Sequence, residues 1–326
     1  MKTKIGIPRA LAYYAYYPMW KTFFEELGCE IVLSPETNKE ILDLGVKEAV
    51  NDACIPIKLF HGHVSSLQGK VDYIFLPRLI SMNTERTVTF CPKFLGLPDM
   101  IAALDTDLPP LLDMRFDFKK GKKQGFKGFY EIGKQLKHSY WAIKKAFQNA
   151  LHAQYEYEKL LAQRVTVQEA LAYLYEGKEL SKPVDYSLKF AVLGYPYAVH
   201  DRFLSVDIIN QLRKMGVTPL TADMVSSKRL AAQAQKLPKD LFWTFSNQVI
   251  RAALYYLDEE KVDGIIHVTA FGCGPDAMVD KLIELEAKAR GHVPFISISV
   301  DEHTGEAGVQ TRLEAFVDMI KLRREQ

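Results

Sequence analysis

One apolar stretch in the last quarter of the chain constrains the fold more than any other. Residues 262–269 are rich in β-branched side chains, the composition of a strand that is buried on both faces of a parallel sheet. The sequence Phe-Gly-Cys-Gly-Pro follows at residues 271–275, where glycine and proline permit a sharp turn. Because open α/β sheets bind ligands at the carboxyl ends of their strands, we expect the Cys273 thiol to face a crevice.

Strand and helix patterns alternate in two stretches of the chain. The predicted strands are 4–8, 30–33, 71–77, 190–194, 218–221, 262–269 and 293–300. Such β-α alternation implies parallel sheets. The two stretches also echo each other, since Gly-Ile-Pro at residues 6–8 matches Gly-Tyr-Pro at 194–196 with an offset of 188. We interpret the chain as an α/β protein with two Rossmann-like or flavodoxin-like parallel-sheet lobes; a chance likeness between βαβ units is the alternative explanation of the echo.

Residues 111–187 lack the strand pattern and are rich in Lys, Gln, Tyr, Ala and Leu. Between Lys119 and Lys145 there are nine lysines and one acid, Glu131. This charge run has two interpretations: a solvated helix face, or a docking surface for an acidic partner or for ligand phosphates. We therefore predict an N-terminal α/β lobe at 1–110, a helical connector at 111–187 and a C-terminal α/β lobe at 188–326.

Composition narrows the class of protein. With 326 residues, 48% of them hydrophobic and 25% charged, the chain is expected to be globular and large enough for two cores. It has neither an apolar run of about 18 residues nor a recognisable secretion signal, which predicts a cytoplasmic protein without a membrane anchor. A net charge of +2 is too small to argue for nucleic-acid binding.

Three of the four cysteines share an unusual context. Cys54, Cys91 and Cys273 each lie next to or near proline or glycine at loop or helix-start positions, whereas Cys29 lies at a helix-to-strand joint and is interpreted as a small core residue. The spacing does not match a secreted disulfide framework. A single cysteine is most often core packing. Three in one context, converging on a cleft between the lobes, would bind a soft metal.

The spacing of the cysteines does not identify the metal. Structural zinc normally takes four ligands, and His61, His63 or His267 is a candidate fourth ligand, although each is equally explained as a solvated or hydrogen-bonded side chain. Three thiolates without a fourth ligand suit a four-iron four-sulfur cluster with one open iron.

Several motifs together resemble the 2-hydroxyacyl-CoA dehydratase superfamily. They are Asn-Asp-Ala-Cys-Ile-Pro-Ile-Lys at 51–58, Phe-Cys-Pro-Lys at 90–93, Phe-Gly-Cys-Gly-Pro-Asp at 271–276 and the stretch 301–316. The opening Ile-Gly-Ile-Pro-Arg-Ala-Leu at 5–11 is more closely similar to the branch of uncharacterised proteins related to CoA-substrate-specific enzyme activases. The resemblance covers most of the chain.

The resemblance implies a cofactor and partners. Cys54, Cys91 and Cys273 would hold a four-iron four-sulfur cluster between α/β domains, and an ATP-dependent activase would supply low-potential electrons. Clusters from two chains would be able to fuse into a larger one across a dimer. A homodimer or heterodimer, a small-molecule or acyl-CoA substrate, and anaerobic metabolism are the corresponding expectations.

The function has two main interpretations. The first is a reductive enzyme or subunit, such as a dehydratase-like lyase or an ATP-dependent reductase component. The second is a non-catalytic protein that relays electrons or delivers clusters; a structural zinc site is a further alternative. The sequence lacks both common nucleotide-binding fingerprints, G-x-x-x-x-G-K-[ST] and G-x-G-x-x-G, so ATP is expected to be hydrolysed by a partner.

Overall fold

Strands and helices alternate along most of the chain. A computed structural model describes residues 2–85, 87–104, 107–180, 184–291 and 293–325. The strands are β1 (Lys4–Ile7), β2 (Glu30–Leu33), β3 (Tyr73–Phe75), β4 (Arg78–Ser81), β5 (Leu111–Leu112), β6 (Arg115–Asp117), β7 (Leu188–Leu193), β8 (Val217–Thr221), β9 (Gly264–Ala270) and β10 (Phe295–Val300). The helices are α1 (Tyr13–Glu26), α2 (Lys39–Glu48), α3 (Ile55–Ser65), α4 (Pro92–Ala102), α5 (Lys122–Gln135), α6 (Tyr140–Leu161), α7 (Val167–Glu176), α8 (Pro196–His200), α9 (Ile208–Lys214), α10 (Ser227–Gln233), α11 (Thr244–Tyr255), α12 (Gly274–Ala289) and α13 (Glu306–Glu325).

The chain forms two compact units. The first runs up to Tyr157 and includes the returning segment Leu241–Thr244; the second comprises Glu158–Asp240 and the residues from Phe245 onward. The helices that follow β6 are therefore divided between the units, with α5 and most of α6 in the first and α7 in the second. The three predicted segments, 1–110, 111–187 and 188–326, stay a prediction.

Each unit contains a four-stranded sheet in which every pairing is parallel. The order is β2-β1-β3-β5 in the first unit and β8-β7-β9-β10 in the second. Numbered within its own sheet, each order is 2-1-3-4, the arrangement of flavodoxin-like folds. The prediction of two parallel-sheet α/β lobes is confirmed. Strand β9 is buried along its whole length, as its β-branched composition predicted.

The echo between the two halves has a local structural basis. Gly28 ends the turn from α1 to β2 with a φ of 76°, and Gly216 ends the turn from α9 to β8 with a φ of 77°. Both follow a helix by two residues, a position at which the left-handed conformation closes the last helical turn and favours glycine. Gly28 and Gly216 are 188 residues apart, the same offset as between the motifs at 6–8 and 194–196, so the two halves share this helix-to-strand turn as well.

The first unit also contains elements that the sequence does not predict. Strand β4 follows Pro77 immediately and pairs in parallel with β6 to form a separate two-stranded sheet. Helix α4 begins directly after Cys91. Both β5 and β6 lie inside the stretch interpreted as a helical connector. Strands β5 and β6, with two and three residues, are too short to display a hydrophobic period, and β4 directly follows the predicted strand 71–77 without a loop of its own.

Aromatic rings join the layers of the first unit. Phe75 on β3 contacts Phe24 on α1 and Phe116 on β6 at ring-centroid distances of 5.1 and 6.0 Å. Phe116 in turn contacts Phe129 on α5 at 4.8 Å. All three contacts are edge-to-face, the geometry that aromatic quadrupoles favour. This chain of rings fixes α5 against the sheets.

Helices α2 and α3 cross at two glycines. A Cβ atom on Gly45 would lie 1.8 Å from the backbone oxygen of Lys58, and one on Gly62 would lie 1.9 Å from the backbone oxygen of Ile41. The two backbones are therefore in direct contact, which leaves no room for any side chain. Because α3 begins directly after Cys54, this crossing also determines where that cysteine lies.

The crossing predicts a sharp difference between two glycine substitutions. Gly62→Ala should lower the free energy of unfolding by about 2 kcal/mol or more, because the helices must separate to admit a methyl group. Gly96→Ala on α4 is the matched control, since a Cβ there meets nothing within 4 Å. The control should be neutral or stabilising by up to about 1 kcal/mol. Urea unfolding measures both, and equal midpoints would contradict the tight crossing.

Candidate functional site

The three candidate cysteines occupy equivalent positions at the starts of helices. Cys54, Cys91 and Cys273 are the N-cap residues of α3, α4 and α12, each with a proline in the first two helical positions. Proline favours a helix start because its φ is preset and it needs no hydrogen-bond acceptor there. A thiol at an N-cap lies next to unpaired backbone N-H groups and the positive end of the helix dipole, which both favour negative charge.

Cys29 differs from the other three cysteines. It is buried between α1 and β2, and burial raises the pKa of its thiol to about 11. A thiol with that pKa stays protonated at neutral pH and is a poor metal ligand. This environment agrees with the interpretation of Cys29 as a small core residue.

Cys54 and Cys91 both belong to the first unit. Burial raises the pKa of the Cys91 thiol, the backbone N-H groups of Phe94 and Lys93 counter part of the rise, and the charge of Cys54 adds to it. Burial also raises the pKa of Cys54, while Lys93, backbone N-H groups and Lys58 counter part of the rise. Two thiolates in this environment repel each other, and a bound cation would remove that cost.

Two lysines flank this pair of thiols. Lys58 lies one turn after Cys54 on α3 and is 6% exposed, and Lys93 follows Cys91 by two residues at the start of α4. Both lower the pKa of Cys54 through their positive charge. The sequence shows both lysines within the cysteine motifs, but their shared effect on one thiol depends on how the two helices meet.

Backbone hydrogen bonds hold the loop that carries Cys91. Phe90 donates its N-H to the Ile80 carbonyl at 3.0 Å, which anchors the loop to the end of β4. On the other side, Thr89 donates to the Phe242 carbonyl and accepts from the Thr244 N-H, both at 2.9 Å. The returning segment 241–244 therefore braces the residues just before Cys91.

Cys273 lies just beyond the carboxyl end of β9, in the second unit. Gly272 has a φ of 76°, which lets the chain turn out of the strand, and the Cys273 N-H donates to the Ala270 carbonyl at 3.0 Å. Phe271 beside it is 68% exposed. Cys54 and Cys91 lie in the same compact unit, and Cys273 lies in the other; the convergence of the three thiols on one site stays a prediction.

A buried histidine ties α12 to β9. His267 lies 2.7 Å from a carboxylate oxygen of Asp280 through Nδ1 and 3.3 Å from one of Asp276 through Nε2. Burial lowers the pKa of His267, but the two carboxylates outweigh burial and raise it to about 9. An imidazolium held in this way fixes the first two turns of the helix that begins after Cys273.

The histidines proposed as zinc ligands have other surroundings. His63 contacts the Ser34 and Thr37 hydroxyls at 2.8 and 3.0 Å, and His267 faces two carboxylates. Neither ring nitrogen of His61 has a partner among the residues that the structure describes. His61 lies on α3 two helical turns beyond Cys54. Within the described ranges, no group of three or more His, Cys, Asp or Glu side chains is arranged to hold a metal ion.

A polar cavity of about 60 Å³ occurs in the second unit, away from the cysteine-bearing turn in sequence. Its charged lining residues pair with one another: Arg213 binds Glu169 at 2.8 Å, and Arg202 lies 3.6 Å from a carboxylate oxygen of Asp207. Since the cavity's charges are engaged within the protein, we assign it a structural role.

Two family models match the chain. The model described as CoA enzyme activase uncharacterised domain (DUF2229) matches residues 4–225, and the model described as 2-hydroxyglutaryl-CoA dehydratase, D-component, matches residues 216–320. The first match spans more than half of the chain. The chain belongs to this CoA enzyme activase-related family. The resemblance to the 2-hydroxyacyl-CoA dehydratase superfamily and its activase-related branch is thereby confirmed.

Other comparisons add less. No curated protein matches the chain. A solved structure described as "Nitrogenase Cp1 at pH 5" is similar at 12% identity and a TM-score of 0.25, over 98% of this chain and 57% of that one. The chain thus spans little more than half the length of that neighbour. No helix in the described ranges is long and apolar enough to cross a membrane.

The His267 ion pairs predict a pH dependence of stability. Folding raises the pKa of His267 from 6.5 to about 9, so its contribution is complete below pH 6.5 and is lost as the pH rises through 9. The full effect is about 3 kcal/mol. Urea unfolding of wild type and His267→Gln between pH 6 and 10 should show the difference in free energy shrinking with pH. A constant difference would contradict a charged His267.

Proposed function

We propose that Cys54, Cys91 and Cys273 bind a four-iron four-sulfur cluster, and that the protein is a reductive enzyme or enzyme subunit. The proposal rests mainly on one observation: each of the three cysteines is the N-cap of a helix that has a proline at its first or second position. Membership of a family related to CoA enzyme activases, and the match to a dehydratase component, support it. A cytoplasmic location goes with this proposal.

The residues present fit such a cluster. Thiolates are the ligands that iron-sulfur clusters take, and each would lie against the positive end of a helix. Lys58 and Lys93 add positive charge beside Cys54, where it offsets the negative charge of bound thiolates and sulfides. The cluster, when bound, would supply one-electron chemistry at an iron left open for a substrate oxygen or small molecule.

The protein's own part is to hold thiolates ready and to control charge around them. Burial raises the pKa values of Cys54 and Cys91, so both thiols must lose a proton when metal binds. The lysines and helix N-termini lower the cost of that loss. On the other unit, the His267 ion pairs keep the start of α12 in place.

The proposal includes partners. Low-potential reduction requires an energy source, and the sequence has no phosphate-binding loop of the common kinds, so an ATP-dependent activase is the proposed electron donor. The match to a dehydratase D-component supports assembly into a homodimer or heterodimer. An acyl-CoA or another small molecule is the proposed substrate class.

Cysteine substitutions test the ligand set. In protein purified without oxygen, Cys54→Ala, Cys91→Ala and Cys273→Ala should each lower iron affinity at least about 10-fold, because water replaces a thiolate poorly. Cys29→Ala is the control and should retain full iron content. Iron and sulfide analysis with EPR spectroscopy measures the outcome. Stoichiometric zinc without sulfide would contradict the cluster and favour a structural zinc site.

Electron transfer from the partner is tested separately. The EPR signal of a reduced cluster should grow only when the activase and hydrolysable ATP are both present, because the low potential must be coupled to hydrolysis. The same mixture with a non-hydrolysable ATP analogue is the control. Equal reduction without activase or ATP would remove the activase from the account and favour a simple electron-relay role.

A further inference from the structure

Helices α5 and α6 of the first unit carry a surface on which positive charge and aromatic side chains occur together. We name this the lysine-aromatic surface. Its aromatic members are Tyr130, Tyr140 and Trp141. Its basic members are Lys119, Lys120, Lys122, Lys123, Lys127, Lys134, Lys137, Lys144 and Lys145.

The nine lysines of this surface are accompanied by a single acidic residue within 119–145, Glu131. Within the described ranges, none of its nine lysines forms an ion pair with a carboxylate. Elsewhere lysines do so; Lys281 and Lys288, for example, both pair with Glu284 on α12. Unpaired lysines on one surface raise the local positive potential and attract acidic molecules.

The aromatic residues distinguish this surface from an ordinary solvated helix face. Trp141 is 72% exposed and Tyr140 is 47% exposed. Their rings are 5.3 Å apart, the Tyr130 ring lies 6.0 Å from Tyr140, and the Lys144 ammonium lies 5.3 Å from the Trp141 ring. Exposed Trp and Tyr are the residues that dominate binding energy at protein interfaces. A face that met water alone would gain nothing from them.

The surface is also held rigidly. Three backbone hydrogen bonds fix the turn before α5: Lys119 N-H to the Asp117 carboxylate, Lys120 N-H to the Gln124 side chain, and Gly121 N-H to the Phe118 carbonyl. Gly133 on α5 packs so closely on Ile143 of α6 that a Cβ there would lie 2.4 Å from that side chain. Little ordering is required when a partner binds, which favours affinity.

The turn before α5 and the loop that carries Cys91 are both bonded to the end of β4. The Ser81 carbonyl accepts the Phe118 N-H at 2.9 Å, and the Ile80 carbonyl accepts the Phe90 N-H at 3.0 Å. Phe118 directly precedes Lys119, and Phe90 directly precedes Cys91. The lysine-aromatic surface and the Cys91 loop are therefore anchored to adjacent residues of the same strand.

We propose that the lysine-aromatic surface docks the ATP-hydrolysing electron donor through an acidic surface of that donor. The inference rests on the proposed function. Charge complementarity identifies the acidic partner, the exposed rings supply the apolar contact, and the end of β4 anchors both this surface and the Cys91 loop. A protein fits better than a nucleic acid because the net charge of the whole chain is only +2.

The test is binding of the cluster-loaded protein to the purified activase of the same organism. Reversal of four charges (Lys119→Glu, Lys120→Glu, Lys122→Glu and Lys123→Glu) should weaken binding at least about 10-fold at low salt, mainly through the association rate, and should flatten the salt dependence. Trp141→Ala should weaken binding by about 10-fold, mainly through dissociation. Surface biosensing over a salt series measures both rates.

A matched control carries the same charge change on exposed lysines elsewhere: Lys47→Glu, Lys70→Glu, Lys228→Glu and Lys321→Glu. It should bind within about twofold of wild type. Circular dichroism and iron content should be unchanged in every variant, which separates docking from folding and cluster loss.

Five outcomes decide the inference. Activase binding that is lost in both surface variants and kept in the control supports it. Equal activase binding by all variants overturns it, even if ATP-dependent reduction supports the proposed function. Failure of the wild-type protein to bind the activase also overturns it. Tight binding of a single-stranded RNA probe that only the charge reversal abolishes, with activase binding intact, would assign the surface to nucleic acid instead. Activase that docks here yet reduces nothing would uphold the inference while defeating the proposed function.

Discussion

The candidate site depends on a proline that follows each cysteine by one or two residues. Its preset φ and missing N-H start a helix within two residues of the thiol, which leaves the sulfur next to the positive helix end. This happens at Cys54, Cys91 and Cys273. The surrounding structure then fixes each helix by different means: a glycine crossing for α3, bracing strands and the segment 241–244 for the Cys91 loop, and buried ion pairs for α12.

The buried charge next to the candidate cysteines has opposite sign in the two units. In the first, buried thiols would carry negative charge, and Lys58 and Lys93 lie where they lower its cost. In the second, the buried charge is positive, on His267, and Asp276 and Asp280 compensate it. Both arrangements place a charge of one sign against the backbone segment that carries a cysteine. Both arrangements would restrict how far the neighbouring cysteine can move and how easily it is protonated. Movement would break a buried charge pairing and leave an uncompensated charge.

Sequence patterns predicted the features that recur over several residues. Seven of the eight strands in the two four-stranded sheets are predicted, because runs of three to seven mostly apolar residues leave a clear pattern. The helices after Cys54 and Cys273 are predicted as well, whereas strands β4, β5 and β6 and helix α4, which begins after Cys91, are not. The partners of His267 were missed too: Asp276 and Asp280 have the spacing of one helix face, but their meeting with β9 depends on how α12 packs on the sheet. The sequence leaves His267 open as a metal ligand, whereas the structure places it between two carboxylates.

The common sheet order gives a reason why the cysteines are distributed two and one. In each unit the chain passes from the third to the fourth strand of the sheet through a helix that begins at a cysteine: Cys91 with α4 in the first, Cys273 with α12 in the second. These two cysteines are therefore topological equivalents, although the motifs around them differ in sequence. The helix before the third strand begins at Cys54 in the first unit, whereas its counterpart in the second, α11, begins after Trp243. The connection between the third and fourth strands carries a cysteine in both units, and the helix before the third strand begins at one only in the first unit. Together these give three candidate ligands, where a strict repeat would give two or four.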